Sequence, residues 1–84
     1  WCLSPMFDLN KPTLLLNSHI DTVTAVNGWR KDPFTPTMES NGKLYGLGSN
    51  DAGASVVSLL QVFLHLCRTT QKYNLIYLAP RPSF

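Results

Sequence analysis

No basic stripe runs through this sequence. Its seven lysines and arginines (Lys11, Arg30, Lys31, Lys43, Arg68, Lys72, Arg81) are scattered, and the net charge is only +2. That distribution gives no footprint for a phosphate backbone, so nucleic acid is not an expected partner. Cysteine is scarce too. Cys2 and Cys67 lie far apart with no CxxC spacing, and they read as two reduced, buried thiols of a cytoplasmic protein, with a disulfide left open. No charged-then-apolar leader opens the chain, and its longest apolar stretch reads as too short and interrupted to span a bilayer, so no membrane is expected. Internal repeats and low-complexity segments are missing as well. What is present is 44% apolar residues in 84, enough for one small and marginally stable core.

Local pattern then gives an order of elements. "WCLSPMF" reads as a short edge strand, because Pro5 has no N–H for a central position. Asp8, Asn10 and Pro12 make a turn. "TLLLNSH" has the continuous apolar run of a strand covered on both faces. Thr22 to Ser40 shows no periodicity and contains two X-Pro steps, so a long irregular loop is expected. Asn41-Gly42 is a hairpin signal before a brief strand at Lys43–Tyr45. "AGASVVSLLQVFLHLCR" is a proline-free helix capped by Asn50 or Asp51, apolar nearly all round and hence expected between layers. After a turn at Thr69–Lys72, "YNLIYLA" is the next strand. Strand, loop, glycine turn, helix, strand is the order of an α/β layer with parallel strands.

Two short stretches carry chemistry. In "NSHIDTV", residues i and i+2 of an extended chain share a face, so His19 and Asp21 stand together at the carboxyl end of a strand, where α/β proteins place their sites. An imidazole is a common metal ligand, and a carboxylate at its other nitrogen fixes the tautomer. By itself the pair equally suits a strand end followed by a turn. In "YGLGSNDAG", Gly46-x-Gly48 before a helix invites a dinucleotide reading, but Asp51 stands where the third glycine belongs and would repel a pyrophosphate. Asp51 is then either a helix cap or a carboxylate carried past a cation. His65 reads as a helix-surface or packed residue, Trp29 and Phe34 as anchors of the long loop, Arg30 and Lys31 as a solvated charge pair, and Trp1 and Tyr73 as core or edge packing.

Together "LLNSHIDTV", "GWRKDPF" and "GKLYGLGSNDAG" resemble the zinc-dependent amidohydrolase family that includes acetylornithine deacetylase, succinyl-diaminopimelate desuccinylase, aminoacylase and the glutamate-releasing carboxypeptidases. The likeness runs from Lys11 to Ala79. It implies an α/β, partial three-layer catalytic domain with a mainly parallel sheet of the zinc-exopeptidase type. It also implies that His19 is a ligand of one zinc, that Asp51 bridges two, and that Asp21 orients His19 and is counted as catalytic. A cis peptide after Asp51 is part of the same implication. Many members carry a lysine shortly after the bridging aspartate; "DAGASVV" does not, which points to a deacetylase-like subgroup. The implied cofactor is zinc, two ions in the complete enzyme, with cobalt as a substitute. The implied substrate is an N-acyl amino acid or peptide, as in arginine biosynthesis, and the complete protein is expected to be a homodimer.

One departure stands out. The family places two adjacent glutamates, one of them the general base, immediately after the strand matching "NLIYLA". Here Pro80, Arg81 and Pro82 follow, and the only glutamate of the chain is Glu39. Residues 1–79 are therefore expected to be the amino-terminal part of the catalytic domain and 80–84 a divergent tail. The dimerisation or lid domain is expected to be absent, the chain being a truncated or frameshifted product that is inactive alone and has exposed apolar patches and strand edges. Two other readings remain: a noncatalytic α/β binding fragment in which His19 and Asp51 are merely structural, and a nucleotide-binding βα unit. The distance between His19 and Asp51 discriminates among them.

Overall fold

A computed structural model describes residues 1–69 and 72–81. The expected turn at Thr69–Lys72 and the tail beyond Arg81 therefore fall partly outside the described residues. Five strands and one helix are present: β1 (Cys2–Leu3), β2 (Thr13–Asn17), β3 (Thr37–Met38), β4 (Leu44–Tyr45), α1 (Ala54–Thr69) and β5 (Asn74–Leu78). One sheet has the order β1-β5-β2. β2 and β5 are parallel, with Thr13 opposite Asn74 and Asn17 opposite Leu78, and β1 adds antiparallel at the edge. The α/β class and the mainly parallel sheet are thus as expected. β3 and β4 form a separate antiparallel ribbon around the Asn41-Gly42 turn, where Gly42 has φ +87. β3 had no periodic signal, since two residues are too few to show alternation.

The core lies between α1 and one face of the sheet. Leu75 and Tyr77 point the same way from β5 and meet Phe63 of α1, the Phe63 and Tyr77 rings lying 5.9 Å apart. The Tyr77 hydroxyl donates to the Val56 carbonyl at 2.9 Å, so the buried phenol is satisfied within the helix it packs against. On the opposite face of β5 the buried Asn74 ties down the amino-terminal turn. Its side chain accepts from the Asp8 N–H (2.8 Å) and donates to the carbonyls of Asp8 and Lys11. A polar group this buried stays only because each of its bonding positions is filled.

Burial departs from expectation in several places. Leu14 and Leu15 of β2 are exposed, as are Val57, Val62 and Leu64 of α1, so neither the strand nor the helix is covered on both sides. Both patterns were read as two-sided burial; these residues supply one helix layer against one sheet face, and the remaining apolar surface stays bare. Trp1 and Tyr73 are exposed instead of packed, and Cys2 is exposed while Cys67 is half-buried, both as free thiols. Ser49–Thr69, with mean hydropathy 1.3, is also long and apolar enough to cross a membrane by length and composition, contrary to the sequence reading. That reading ended the apolar run at each Ser, Gly or Gln, which an averaged hydropathy tolerates. The regular helix within it is 16 residues, or ~24 Å at 1.5 Å per residue, against ~30 Å of hydrocarbon. A core helix of a soluble protein satisfies the same criterion.

Replacing Asn74 with Ala leaves the Asp8 N–H and two carbonyls without their partner. It should cost about 2–3 kcal/mol, read as a lower denaturation midpoint with little change in m-value. Burial, and secondarily Cys2, pushes the Cys67 thiol up from its ordinary range. Cys67 should therefore be alkylated more slowly at pH 8 in the folded chain than in urea, as mass spectrometry of timed samples would show.

Candidate metal centre

The site is built where β2 and β5 run out. Regular strand ends at Asn17, yet the ladder continues: the Ser18 N–H donates to the Leu78 carbonyl (3.1 Å) and the Ile20 N–H to the Pro80 carbonyl (2.9 Å). Residues 18 and 20 thus face β5 through their amides, and the backbone remains extended through His19. His19 and Asp21 are brought together beyond the strand end instead of within it. His19 Nδ1 lies 3.1 Å from the Asp21 carbonyl oxygen and 3.3 Å from its carboxylate Oδ1. Both neighbours only accept, so Nδ1 carries a proton.

Asp51 arrives from the glycine turn. Gly48 has φ +81, and a Cβ there would collide with the Thr22 side chain; at Gly53 a Cβ would sit 2.7 Å from the Gly48 carbonyl oxygen. The two glycines therefore let the segment close tightly, with the Gly53 N–H donating to the Gly48 carbonyl at 2.8 Å. Asp51 itself has non-helical φ −119 and ψ 95, and the Asp51–Ala52 peptide is cis, as the resemblance implied. Neither Asn50 nor Asp51 caps α1: Gly48 holds the cap position with no side-chain bond. The Asp51 carboxylate is instead turned to His19, with 3.2 Å between Oδ1 and Nε2.

His19, Asp21 and Asp51 line one open cleft of about 400 Å³, together with Thr22, Trp29 and the backbone of Gly46–Ser49. Trp29, expected only to anchor the loop, is one wall of this cleft, whereas Phe34 is 74% exposed and anchors nothing through its ring. The loop is held by its backbone: Asp32 accepts from the Phe34 N–H (2.9 Å), and the Leu47 N–H donates to the Pro33 carbonyl (2.8 Å), tying "KDPF" to the glycine turn. Lys31 is not a solvated partner of Arg30. It pairs with Glu39 at 3.2 Å and lies over the Tyr45 ring at 5.2 Å. His65 is exposed on the helix surface, as expected. Among the described residues no group of three or more His, Cys, Asp or Glu side chains is placed to hold a metal ion.

A parallel α/β pair with a histidine at the strand's carboxyl end, braced by one carboxylate and faced by another at the start of the crossover helix, defines a class of α/β protein with its site at the strand ends. Within that class the chain belongs to Peptidase family M20/M25/M40, whose model matches residues 15–79. It is 36% identical over 64 residues to aminoacylase-1 of Dictyostelium discoideum, covering 75% of this chain and 16% of that protein. It is 43% identical over 67 residues to the acetylornithine deacetylase of Klebsiella pneumoniae (strain 342), covering 79% and 17%. The chain spans about one sixth of the length of these relatives.

A Gly48→Ala chain has a methyl group where Thr22 now sits. It should move the turn, lower stability by about 1 kcal/mol or more, and shift the His19 ring resonances in a proton NMR spectrum.

Proposed function

We propose that these residues form the amino-terminal part of the catalytic domain of a zinc-dependent amidohydrolase that cleaves N-acyl amino acids or related peptides, with His19 and Asp51 as metal ligands and Asp21 as the residue that orients His19. The observation that carries this is the approach of His19 Nε2 to Asp51 Oδ1 at 3.2 Å. With the proton of a neutral ring on Nδ1, Nε2 presents a lone pair to a carboxylate oxygen. Two facing lone pairs at that separation need a positive charge between them, either a second proton or a cation. The donor atoms fit zinc. Nitrogen and oxygen ligands about 2.0–2.1 Å from a tetrahedral ion are about 3.3–3.4 Å apart, close to the 3.2 Å found here.

The chemistry zinc supplies in such a centre is Lewis acidity, which makes water a nucleophile near neutral pH and polarises an amide carbonyl. The residues present have separate tasks. Asp21 holds the Nδ1 proton and so keeps Nε2 free and the ring oriented. Asp51 presents a second carboxylate oxygen to the open cleft, its side chain being 83% exposed, which suits a bridge between two ions. Trp29 walls the cleft and limits how water and substrate approach. The remaining layers of a three-layer domain would cover the exposed faces of β2 and α1, and the similarity to an acetylornithine deacetylase supports a deacetylase-like substrate.

In these 84 residues the general-base glutamate has no counterpart at Pro80 or Arg81. Two ligands also fall short of the three protein donors of a catalytic zinc site. The chain alone should therefore show no hydrolysis of N-acetylornithine and should bind zinc more weakly than micromolar, with His19→Ala and Asp51→Ala each abolishing what binding remains. Calorimetric zinc titration checks this; submicromolar affinity, or binding indifferent to both substitutions, would remove the basis of the assignment. Zinc-dependent shifts confined to the His65 ring would favour the noncatalytic reading.

A further inference from the structure

Trp29 has two sides. One lines the His19–Asp51 cleft; the other lines a larger cavity of about 590 Å³ formed by the long loop and β4, with Val26 and Tyr45 as its other apolar walls. Its polar groups are few. Lys31 and Glu39 neutralise each other across 3.2 Å, and Lys31 is further engaged by the Tyr45 ring. Arg30 also lines this cavity, and no described residue pairs with it, so it leaves one uncompensated positive charge there. Asn27 adds an amide donor beside it. A mostly apolar concavity with one free guanidinium and one neutral donor is built for an organic anion, and the planar fork of arginine matches a carboxylate.

We propose that this cavity seats the free carboxylate of an N-acyl amino acid, with Arg30 as the specificity-determining residue and Trp29 as the partition between carboxylate and scissile amide. The proposal rests on the hydrolase reading, because the shared tryptophan places the two cavities side by side on one substrate. Lys31 contributes position instead of charge: its ties to Glu39 and Tyr45 fix the backbone next to Arg30. A substrate whose carboxylate is blocked loses the charge-assisted contact and leaves Arg30 unanswered.

The test uses the full chain without zinc, so that it stands apart from metal binding. N-acetyl-L-alanine is titrated against N-acetyl-L-alaninamide, following the Trp29 indole N–H resonance, which the Trp29→Phe spectrum assigns. The acid should shift that resonance saturably, with affinity falling as salt is raised. The amide, and the acid against Arg30→Ala, should each bind about tenfold more weakly, whereas Arg68→Ala on the last turn of α1 should bind the acid normally. If Arg30→Ala perturbs the fold, the comparison of acid with amide on the unaltered chain decides alone. Equal binding of acid and amide, or no saturable shift at Trp29 up to about 50 mM ligand, overturns the proposal. Zinc shifting the His19 ring while N-acetyl-L-alanine leaves Trp29 unmoved would sink this inference and spare the hydrolase reading.

Discussion

The parallel pairing of β2 with β5 is the constraint on which the rest depends. It joins segments some sixty residues apart, and its last hydrogen bonds, from Ser18 and Ile20 to Leu78 and Pro80, hold the chain extended through His19. A parallel pair cannot be closed by a tight turn, so the intervening chain has to leave the sheet and return. It returns through α1, whose Phe63 packs on Tyr77 of the same β5. The crossover that completes the sheet therefore delivers the start of its helix, and Asp51 just before it, to the end of β2 where His19 waits. Site and fold have one cause.

The glycine turn reconciles two demands on the same residues. A helix start ordinarily wants a side chain folded back onto its free amides. Here the turn before α1 is tightened by Gly48 and Gly53, and the amides of Gly53 and Ala54 bond to the carbonyls of Gly48 and Ser49. With backbone acceptors serving those amides, the Asp51 carboxylate is released toward His19. The exposed apolar faces of β2 and α1 belong with the short span of the chain relative to its relatives, about one sixth of their length: one sheet face finds a helix and the other does not.

Much of this was legible beforehand. The strands around "TLLL" and "LIYL", the proline-free helix and the parallel order all follow from hydrophobic runs and breakers. His19, Asp21 and Asp51 were identifiable because few polar residues stand at a strand end or open a helix. The exposed state of α1 was not legible, since an apolar helix surface signals what it can be buried against, not whether that neighbour is among these residues. Trp29 was missed as a cleft wall because a tryptophan in an aperiodic loop has no pattern to orient it. The Lys31–Glu39 pair was missed because those residues meet only once β3 and β4 fold the loop back.

By itself, then, the sequence determined which segments are extended or helical, and which residue types could bind a cation. Those are properties of neighbours within a few positions, set by backbone sterics and side-chain periodicity. Whether His19 and Asp51 meet was decided only by tertiary structure. Their approach depends on the crossing of α1 over the sheet and on two glycines closing against Thr22 and the Gly48 carbonyl, contacts between parts of the chain that no local pattern encodes.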